Sequence, residues 1–186
     1  MDLIKNSKYE LLIAAYKSSL QKKHVLQDVE ITSQQQGDDI FRAIFDAGTK
    51  QNVNIKMIEN YAPKDRGDNI DGKILENHNA IKRKSLDFQK LLGRGKMHSK
   101  FIISDKKHAY IGSANLDWRS LNQKLEIGVL ISDCGCLVKD LEGIFDNYWN
   151  LPSLTLASET RYNMENPLKI NINEEESEIY VAVRSL

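Results

Sequence analysis

The stretch GKMHSKFIISDKKHAYIGSANLDWRS, residues 95–120, carries the strongest fold signal in this chain of 186 residues. In it His98 and Lys100 stand two positions apart, and Asp105 and the small polar turn Gly112–Asn115 follow. Side chains at alternate positions of a strand point to the same face of a sheet. The stretch therefore predicts a strand that aims an imidazole and an ammonium at one spot, with a polar turn further along.

Composition indicates an ordinary globular protein. Hydrophobic residues make up 41% of the chain, charged residues make up 28%, and the formal net charge is zero. These values are typical of one folded domain, expected here over residues 1–186, and they provide no overall positive charge for nucleic acid. Any anionic substrate is therefore expected to meet local charge.

The sequence predicts neither a targeting signal nor a membrane span. Residues 1–20 lack the continuous apolar core of a signal peptide, and no stretch is long enough to cross a bilayer. Cys134 and Cys136 flank one glycine, a spacing that is poor for a mutual disulfide and insufficient for zinc. The expectation is a cytosolic chain, as written, whose two cysteines are small packing or loop residues.

Apolar periodicity predicts an α/β fold. Glu10–Tyr16 is an apolar run typical of a buried strand (a helix is the alternative), a helical pattern begins at Gly37, and Val53–Ile58 alternates like a half-buried strand. Strand, helix and strand in this order are typical of α/β proteins. Residues 60–72 are polar and predict a loop, and residues 151–186 are less regular. The other predicted elements are helices over Ile74–Lys84 and Cys136–Trp149, and strands over Leu86–Leu92, Met97–Ser104, His108–Ile111, Lys124–Ser132, Ile170–Ile172 and Ile179–Val183.

The residue types in the opening stretch suit phosphate chemistry. Their spacing is H-x-K, four residues, D, six residues, and then G-S-x-N. A neutral imidazole such as that of His98 is a good nucleophile toward phosphorus, and Lys100 can neutralise a non-bridging phosphate oxygen. Ser113 and Asn115 can donate hydrogen bonds to the same oxygens, while Gly112 lets backbone approach closely.

Glu126 is the residue that would complete this set. It falls on the predicted strand Lys124–Ser132, out of phase with the apolar residues of that strand. An acid there faces the His98 side if the strands pair, and it can accept the proton of the second imidazole nitrogen and so fix the tautomer. A solvated strand residue is the alternative interpretation of Glu126.

These residues resemble the HKD motif of the phospholipase D superfamily. The segments LDWRS (116–120) and IFDNYW (144–149) are similar to the eukaryotic and poxviral branch that includes endolysosomal 5′ exonucleases. QQQGDDIFRAI (34–44) and TRYNMENPLKI (160–170) extend this resemblance over nearly the whole chain. The resemblance implies a phospholipase D-like half domain, an α/β fold with a mixed, mostly parallel sheet flanked by helices.

The resemblance also implies a mechanism. His98 would attack a phosphodiester in line to form a phosphohistidine, and Lys100 and Asn115 would hold the phosphate oxygens with the help of Ser113. Asp105 would mainly hold the turn. No metal and no cofactor is implied. The substrate favoured is single-stranded nucleic acid, with a phospholipid as runner-up because the motif recognises only the phosphodiester.

The resemblance implies two motifs per active site, yet the sequence contains one, at residues 98–115. In the family a second histidine protonates the leaving oxygen, but His24, His78 and His108 lack the H-x-K pattern. A homodimer with a shared site, or pairing with another HKD half, is therefore expected. In either arrangement Glu126 would orient His98. The alternative is a catalytically inactive half-enzyme that serves as an interaction module.

Two surface features have open interpretations. Arg94 and Lys96, together with Lys82–Lys84, form either a basic rim for a phosphate backbone or a solvated face. Trp118 either packs under the polar turn or stacks on a base, and packing is favoured. Localisation stays open, because related family members are endolysosomal while this sequence shows no signal segment.

Overall fold

The computed structural model describes residues 1–25, 35–62, 69–153 and 162–182. The strands in these ranges are β1 (Glu10–Ala15), β2 (Ser18–Ser19), β3 (Asn54–Asn60), β4 (Lys82–Leu86), β5 (Phe101–Ser104), β6 (His108–Gly112), β7 (Leu116–Asp117), β8 (Gly128–Ile131), β9 (Leu168–Ile172) and β10 (Glu175–Ile179). The helices are α1 (Asp2–Lys5), α2 (Lys22–Val25), α3 (Gln36–Thr49), α4 (Ile70–Asn77), α5 (Phe88–Leu92), α6 (Trp118–Asn122) and α7 (Gly135–Asn150), followed by a 3₁₀ turn at Leu151–Ser153.

The centre of the described structure is a six-stranded sheet in the order β4-β3-β1-β5-β6-β8. β1, β3 and β4 are parallel neighbours, whereas β5, β6 and β8 each join an antiparallel neighbour. Following these pairings across the sheet, β1, β3, β4 and β6 share one direction, and β5 and β8 run the other way. The expected mixed, mostly parallel sheet flanked by helices is thereby confirmed.

Two apolar cores cover the two faces of this sheet. Alternate residues of β1 point to opposite faces, so Leu11 and Ile13 join the core beneath α3, while Leu12 and Ala14 join the core beneath α7. A strand that is buried on both faces reads as a continuous apolar run, which is why ELLIAA was recognisable in the sequence. β1 is thus the middle layer between the helices.

Several predicted elements differ from the structure. The helix predicted over Ile74–Lys84 ends at Asn77, and its last part is the edge strand β4. The strand predicted over Leu86–Leu92 is wrong, because α5 begins at Phe88, where the Asp87 side chain caps the helix by accepting a hydrogen bond from the Lys90 amide at 3.1 Å.

Three predicted strands are shorter than expected or shifted. The strand expected over Met97–Ser104 is regular from Phe101 onward, and the one expected over Lys124–Ser132 is regular from Gly128 to Ile131. The acidic residues Glu175 and Glu176 are the first two residues of β10. This strand ends at Ile179, where a strand was expected to begin. Val183 lies outside the described residues.

The strand ends that carry the candidate site residues lie together along one side of the sheet, which is called an edge here although it runs across the strands. The carboxyl ends of the parallel strands β1, β3 and β4 meet at this edge, and β5 begins there because Phe101 pairs with Ala14. Loops at the carboxyl ends of parallel strands are the common place for binding sites in open α/β sheets. In the described ranges, no helix is long and apolar enough to cross a membrane.

Candidate active site

The loop that precedes β5 carries the imidazole and is held directly before it. Met97 is fully buried, and its amide donates a hydrogen bond to Oδ1 of Asn60 at 2.9 Å. The Asn60 carbonyl in turn accepts a hydrogen bond from Nδ2 of Asn69 at 2.6 Å. Asn60 and Asn69, linked in this way at the end of β3, thus fix the position of the backbone directly before His98.

His98 and Lys100 converge as the sequence predicts, although not as neighbours on a regular strand. Nζ of Lys100 lies 3.2 Å from Nδ1 of His98 and 2.6 Å from the His98 carbonyl oxygen, to which it donates. An ammonium can only donate, so Nδ1 acts as the acceptor in this pair. Both residues precede β5, so the contact between their side chains, and not the alternation of a regular strand, holds them together.

The electrostatics favour the neutral form of this imidazole. Burial, then the charges of Lys100 and Lys96, lower the pKa of His98 below its ordinary value of 6.5. Burial also lowers the pKa of Lys100, an effect that Glu126 partly opposes. A neutral imidazole beside an ammonium is the protonation state that a nucleophile toward a phosphodiester requires.

Tyr16 is a site residue that the sequence analysis missed. Its ring centroid is 4.6 Å from that of His98, and Nζ of Lys100 lies 5.3 Å from the same ring. The ring thus contacts both members of the pair, through a tilted aromatic contact and a cation–π contact. The available signal was its place directly after β1, whose end adjoins the start of β5.

Ser113 and Glu126 bind one another in this structure. Oγ of Ser113 donates to Oε2 of Glu126 at 2.5 Å, and this hydrogen bond is the main cause that lowers the pKa of Glu126. The Ser113 hydroxyl also accepts the Ile127 amide at 3.0 Å. The expected hydrogen bond from His98 to Glu126 is not among the described contacts. Oδ1 of Asn115 is buried and receives no hydrogen bond from any described residue.

The glycine of the motif has a second structural reason. A Cβ on Gly112 would lie 2.2 Å from the Tyr110 hydroxyl, and one on Gly128 would lie 2.3 Å from the Tyr110 ring. Gly112 and Gly128 are paired across β6 and β8. The Tyr110 ring therefore lies across both glycines, and a side chain at either position would displace it.

Asp105 lies at the other end of β5, away from the imidazole. Its carboxylate accepts the backbone amides of Lys8, Tyr9 and Glu10 at 2.8, 2.8 and 2.9 Å. Burial alone would raise the pKa of Asp105, but these hydrogen bonds from Glu10, Lys8 and Tyr9 outweigh it, so the pKa is lowered. The carboxylate joins the turn before β6 to the start of β1, and the structure does not bring it to His98.

A cavity of about 360 Å³ opens beside the pair. His98, Lys100 and Ser113 line it on one side. Apolar residues of α7 and the segment after β10, Val181 and Ala182, line it on the other. The cavity therefore combines an imidazole, an ammonium and a hydroxyl with an apolar wall.

The basic rim expected on β4 is largely engaged inside the molecule. Arg83 pairs with buried Glu59 and with Glu76, and Nζ of Lys84 donates to the Trp149 carbonyl at 2.6 Å. Arg94 and Lys96 are exposed in the loop before β5, and the charge of Lys96 acts on His98. Lys82 on β4 and the two cations before β5 therefore form the part of the predicted rim that faces solvent.

The other secondary expectations have clear outcomes. Trp118 is 1% exposed, in agreement with the favoured packing role, and its ring lies next to Gly37 of α3. His108 accepts a hydrogen bond from the Asp133 amide at 3.3 Å at a strand edge. The thiols of Cys134 and Cys136 lie 3.2 Å apart at the start of α7, where they share a hydrogen bond and form no disulfide.

Comparison with family models gives one match over nearly the whole chain. Residues 1–184 match the family described as "PLD3/4, PLD-like domain". The match includes every residue of the candidate site.

Curated relatives point the same way. The chain is 34% identical over 190 aligned residues to a "5′-3′ exonuclease PLD3" of Xenopus laevis and 36% identical over 159 to that of Homo sapiens. It is 31% identical over 191 to "Phospholipase D Z" of Dictyostelium discoideum. These alignments cover 98%, 81% and 98% of this chain, but 37%, 31% and 44% of the relatives. The chain thus spans less than half the length of these relatives.

Two solved structures share the fold. NucT from Helicobacter pylori superposes with a TM-score of 0.59 at 20% identity, over 80% of this chain and 84% of that one. Nuc from Salmonella typhimurium, a phospholipase D family member, gives 0.57 at 19% identity, over 81% and 84%. Chains of comparable length therefore adopt this architecture.

Proposed function

Because the chain belongs to the PLD-like domain family of the PLD3/4 type, we propose that it is one half of a phosphodiesterase that works through a phosphohistidine. The observation that carries this proposal is the convergence of His98 and Lys100 on one cavity, at 3.2 Å from one another. A neutral imidazole with a cation at hand is suited to attack phosphorus without a metal ion.

The steps follow from these side chains. A ring nitrogen of neutral His98 attacks the phosphorus, the P–N bond forms, and the P–O bond to the leaving oxygen breaks. Lys100 and Asn115 bind the non-bridging oxygens, where charge increases in the transition state. A proton donor transfers a proton to the leaving oxygen. Water then attacks the phosphorus, which cleaves the P–N bond and regenerates the imidazole. Ser113 assists once a phosphate competes with Glu126 for its hydroxyl.

Single-stranded nucleic acid is the preferred substrate. Two of the relatives are 5′-3′ exonucleases by name, and the exposed cations Arg94 and Lys96 lie in the loop that carries His98. This local charge supplies the attraction to a phosphate backbone that the neutral chain lacks overall. A phospholipid is the second candidate, favoured by the name of the Dictyostelium relative and by the apolar wall of the cavity.

The proton donor is proposed to come from a second HKD half, in a homodimer or a related chain. The strand β8 and the residues before it form the open edge of the sheet. Large apolar side chains are exposed along this edge: Leu125 at 103%, Ile127 at 81%, Val129 at 61% and Leu130 at 63%. An apolar strand edge of this kind is typical of a surface that another chain covers.

The position of Glu126 supports the same arrangement. It stands between exposed Leu125 and Ile127 and accepts the Ser113 hydroxyl, so a chain that packs on this segment would lie next to Glu126 and Ser113. In the covered state Glu126 is proposed to turn from Ser113 to His98 and to fix its tautomer. The partner would thus complete the site and not merely adjoin it.

Solution mass and activity, measured on the same peaks, test the proposal. The purified chain is fractionated with light scattering, and each peak is assayed on labelled single-stranded DNA and on bis-p-nitrophenyl phosphate. We expect a dimer that cleaves, and complete loss of cleavage in His98→Ala with an unchanged circular dichroism spectrum. Val129→Lys should yield a folded monomer without activity.

The alternative function is an inactive half-enzyme that acts as an interaction module. Its support is that Nδ1 of His98 faces Lys100 while Glu126 binds Ser113. A folded protein with no activity in any peak, alone or mixed with a full-length relative, would favour this alternative. Cleavage that survives in His98→Ala would instead contradict the proposed nucleophile.

A further inference from the structure

A second imidazole is held on the same edge of the sheet, outside the motif. His24 lies on α2, and its Nδ1 is 2.8 Å from Oδ1 of Asp71 on α4. The Asp71 side chain is fully buried and the His24 side chain is 15% exposed. Asp71 also accepts the backbone amide of Gln21 at 2.9 Å and its side-chain amide at 2.6 Å.

This arrangement fixes the direction of the imidazole. A carboxylate accepts hydrogen bonds, so Nδ1 of His24 is the donor to Asp71. The two nitrogens of an imidazole point away from one another, and Nε2 is therefore directed away from the buried carboxylate. A nitrogen held in this way by an acid behind it is the geometry used for metal-bound and catalytic histidines.

The fold connects this imidazole to the candidate active site. β1 ends beside Tyr16, whose ring contacts His98, and the chain then forms β2. β2 pairs in parallel with β7, the two residues that follow Asn115. Beyond that ladder, Nη2 of Arg119 donates to the Val25 carbonyl at 3.0 Å and joins α6 to α2. α2 thus borders the same surface as the polar turn Gly112–Asn115.

The charge on this border suits an anion. Lys22 and Lys23 precede His24 on α2, and exposed Arg119 contacts the Val25 carbonyl. The carboxylate of Asp38 accepts the Lys22 amide at 3.4 Å. The negative partner in direct contact with the imidazole, Asp71, is buried and takes hydrogen bonds from Gln21 as well as from His24. With both ring nitrogens protonated, His24 presents Nε2–H to an approaching phosphate beside the neighbouring cationic groups, with the carboxylate behind the ring.

We propose that His24, oriented by Asp71, binds a phosphate of the nucleic-acid strand other than the one being cleaved. The inference rests on the proposed function, since it assigns a further contact to the same substrate. It predicts that His24 contributes to the affinity for a strand with several phosphates and contributes nothing to a substrate with one.

Binding in a His98→Ala background tests this without turnover. Fluorescence anisotropy measures the affinity for an oligothymidylate of about twelve nucleotides, the length scale of single-strand sites, and for the dinucleotide. His24→Asn is the decisive variant, because its amide can replace the Nδ1 donor to Asp71 while it removes Nε2. We expect His24→Asn to weaken the long oligonucleotide about tenfold, the loss of one hydrogen bond to a charged group, and to leave the dinucleotide unchanged.

The matched control is Lys23→Gln, an exposed neighbour on the same helix that lacks the buried acid behind it. It should change the affinity by less than His24→Asn at moderate salt. The inference is overturned if His24→Asn binds the long strand as well as the parent does, if it weakens both lengths equally, or if Lys23→Gln matches its effect. Failure of wild-type catalysis on bis-p-nitrophenyl phosphate would refute the proposed function and leave this binding result standing.

Discussion

Asp105 separates the stability of this fold from the chemistry proposed for it. Its carboxylate holds the amides of Lys8, Tyr9 and Glu10, and its backbone adopts a φ of 50°. Asp and Asn tolerate that left-handed conformation better than other residues with a side chain. Because Asp105 is at the edge of the sheet opposite His98, its replacement should lower stability and leave the chemistry of the folded protein unchanged.

The magnitude follows from the contacts. Each backbone hydrogen bond to this partly exposed carboxylate contributes about 0.5–1 kcal/mol to the free energy of unfolding. This is toward the low end of such contributions, because water can replace the acceptor. Asp105→Ala loses three of them and places alanine in the left-handed region, for a total of about 3 kcal/mol. Asp105→Asn keeps one acceptor oxygen and the tolerated backbone, for about 1 kcal/mol.

Thermal unfolding at neutral pH measures the difference. For a chain of this size, 1 kcal/mol corresponds to about 2–4 °C in Tm, so we expect a decrease of about 6–12 °C for Asp105→Ala and about 2–4 °C for Asp105→Asn. Equal losses in the two variants, or no loss in the alanine variant, would refute the reasoning from hydrogen-bond count.

The same variants have a definite pH dependence. The lowered pKa of Asp105 means that its contribution is complete above the ordinary carboxyl range and is lost as the pH falls through the folded-state pKa. The Tm advantage of the wild type over Asp105→Ala should therefore shrink below pH 3.8, the ordinary value for this group. An advantage that grows on acidification has the wrong sign for an ionised acceptor.

The remaining predictions concern the candidate active site. Since burial and the neighbouring lysines lower the pKa of His98, the acid limb of kcat/KM on bis-p-nitrophenyl phosphate should lie below pH 6.5 and should move upward in Lys96→Met; a limb above 6.5 in the wild type would contradict a neutral resting imidazole. Tyr16→Phe should retain kcat, because the ring contacts survive, whereas Tyr16→Ala should lower it; equal activity of the two variants would remove the ring from the site. Lys100→Ala should reduce kcat by about a hundredfold to a thousandfold, the usual loss when one donor to a developing charge is removed, and an unchanged rate would exclude it. Dialysis against EDTA should leave the rate unchanged, and loss that is restored by a divalent ion would overturn the metal-independent step.

The elements that sequence reasoning found are those whose burial is regular. β1 is apolar on both faces and α7 buries one stripe, so each pattern matches one structure. β4 reads KRKSL, and its place in the sheet depends on pairing with β3 and on the ion pairs of Arg83 with Glu59 and Glu76. Those partners are distant in sequence, so the strand propensity of KRKSL alone does not predict β4.

The site divides in the same way. His98 and Lys100 are close in sequence, so their spacing was enough to predict their meeting. Tyr16 and Asn60 reach the same point from the ends of β1 and β3, and proximity of that kind follows from strand order alone. A sequence without aligned relatives does not specify strand order, which is why these two residues were missed.

The segment around Glu126 shows what a hydrophobic pattern records. Leu125, Ile127 and Val129 alternate with polar residues as a half-buried strand does, yet all three are exposed in the chain alone. Alternation of this kind encodes burial against something, and the described chain contains nothing that covers this edge. The chain spans less than half the length of the relatives compared. We propose that the pattern records the assembled state, in which a second half covers these side chains and turns Glu126 toward the imidazole. On this proposal the shortened strand and the separation of Glu126 from His98 have one physical cause.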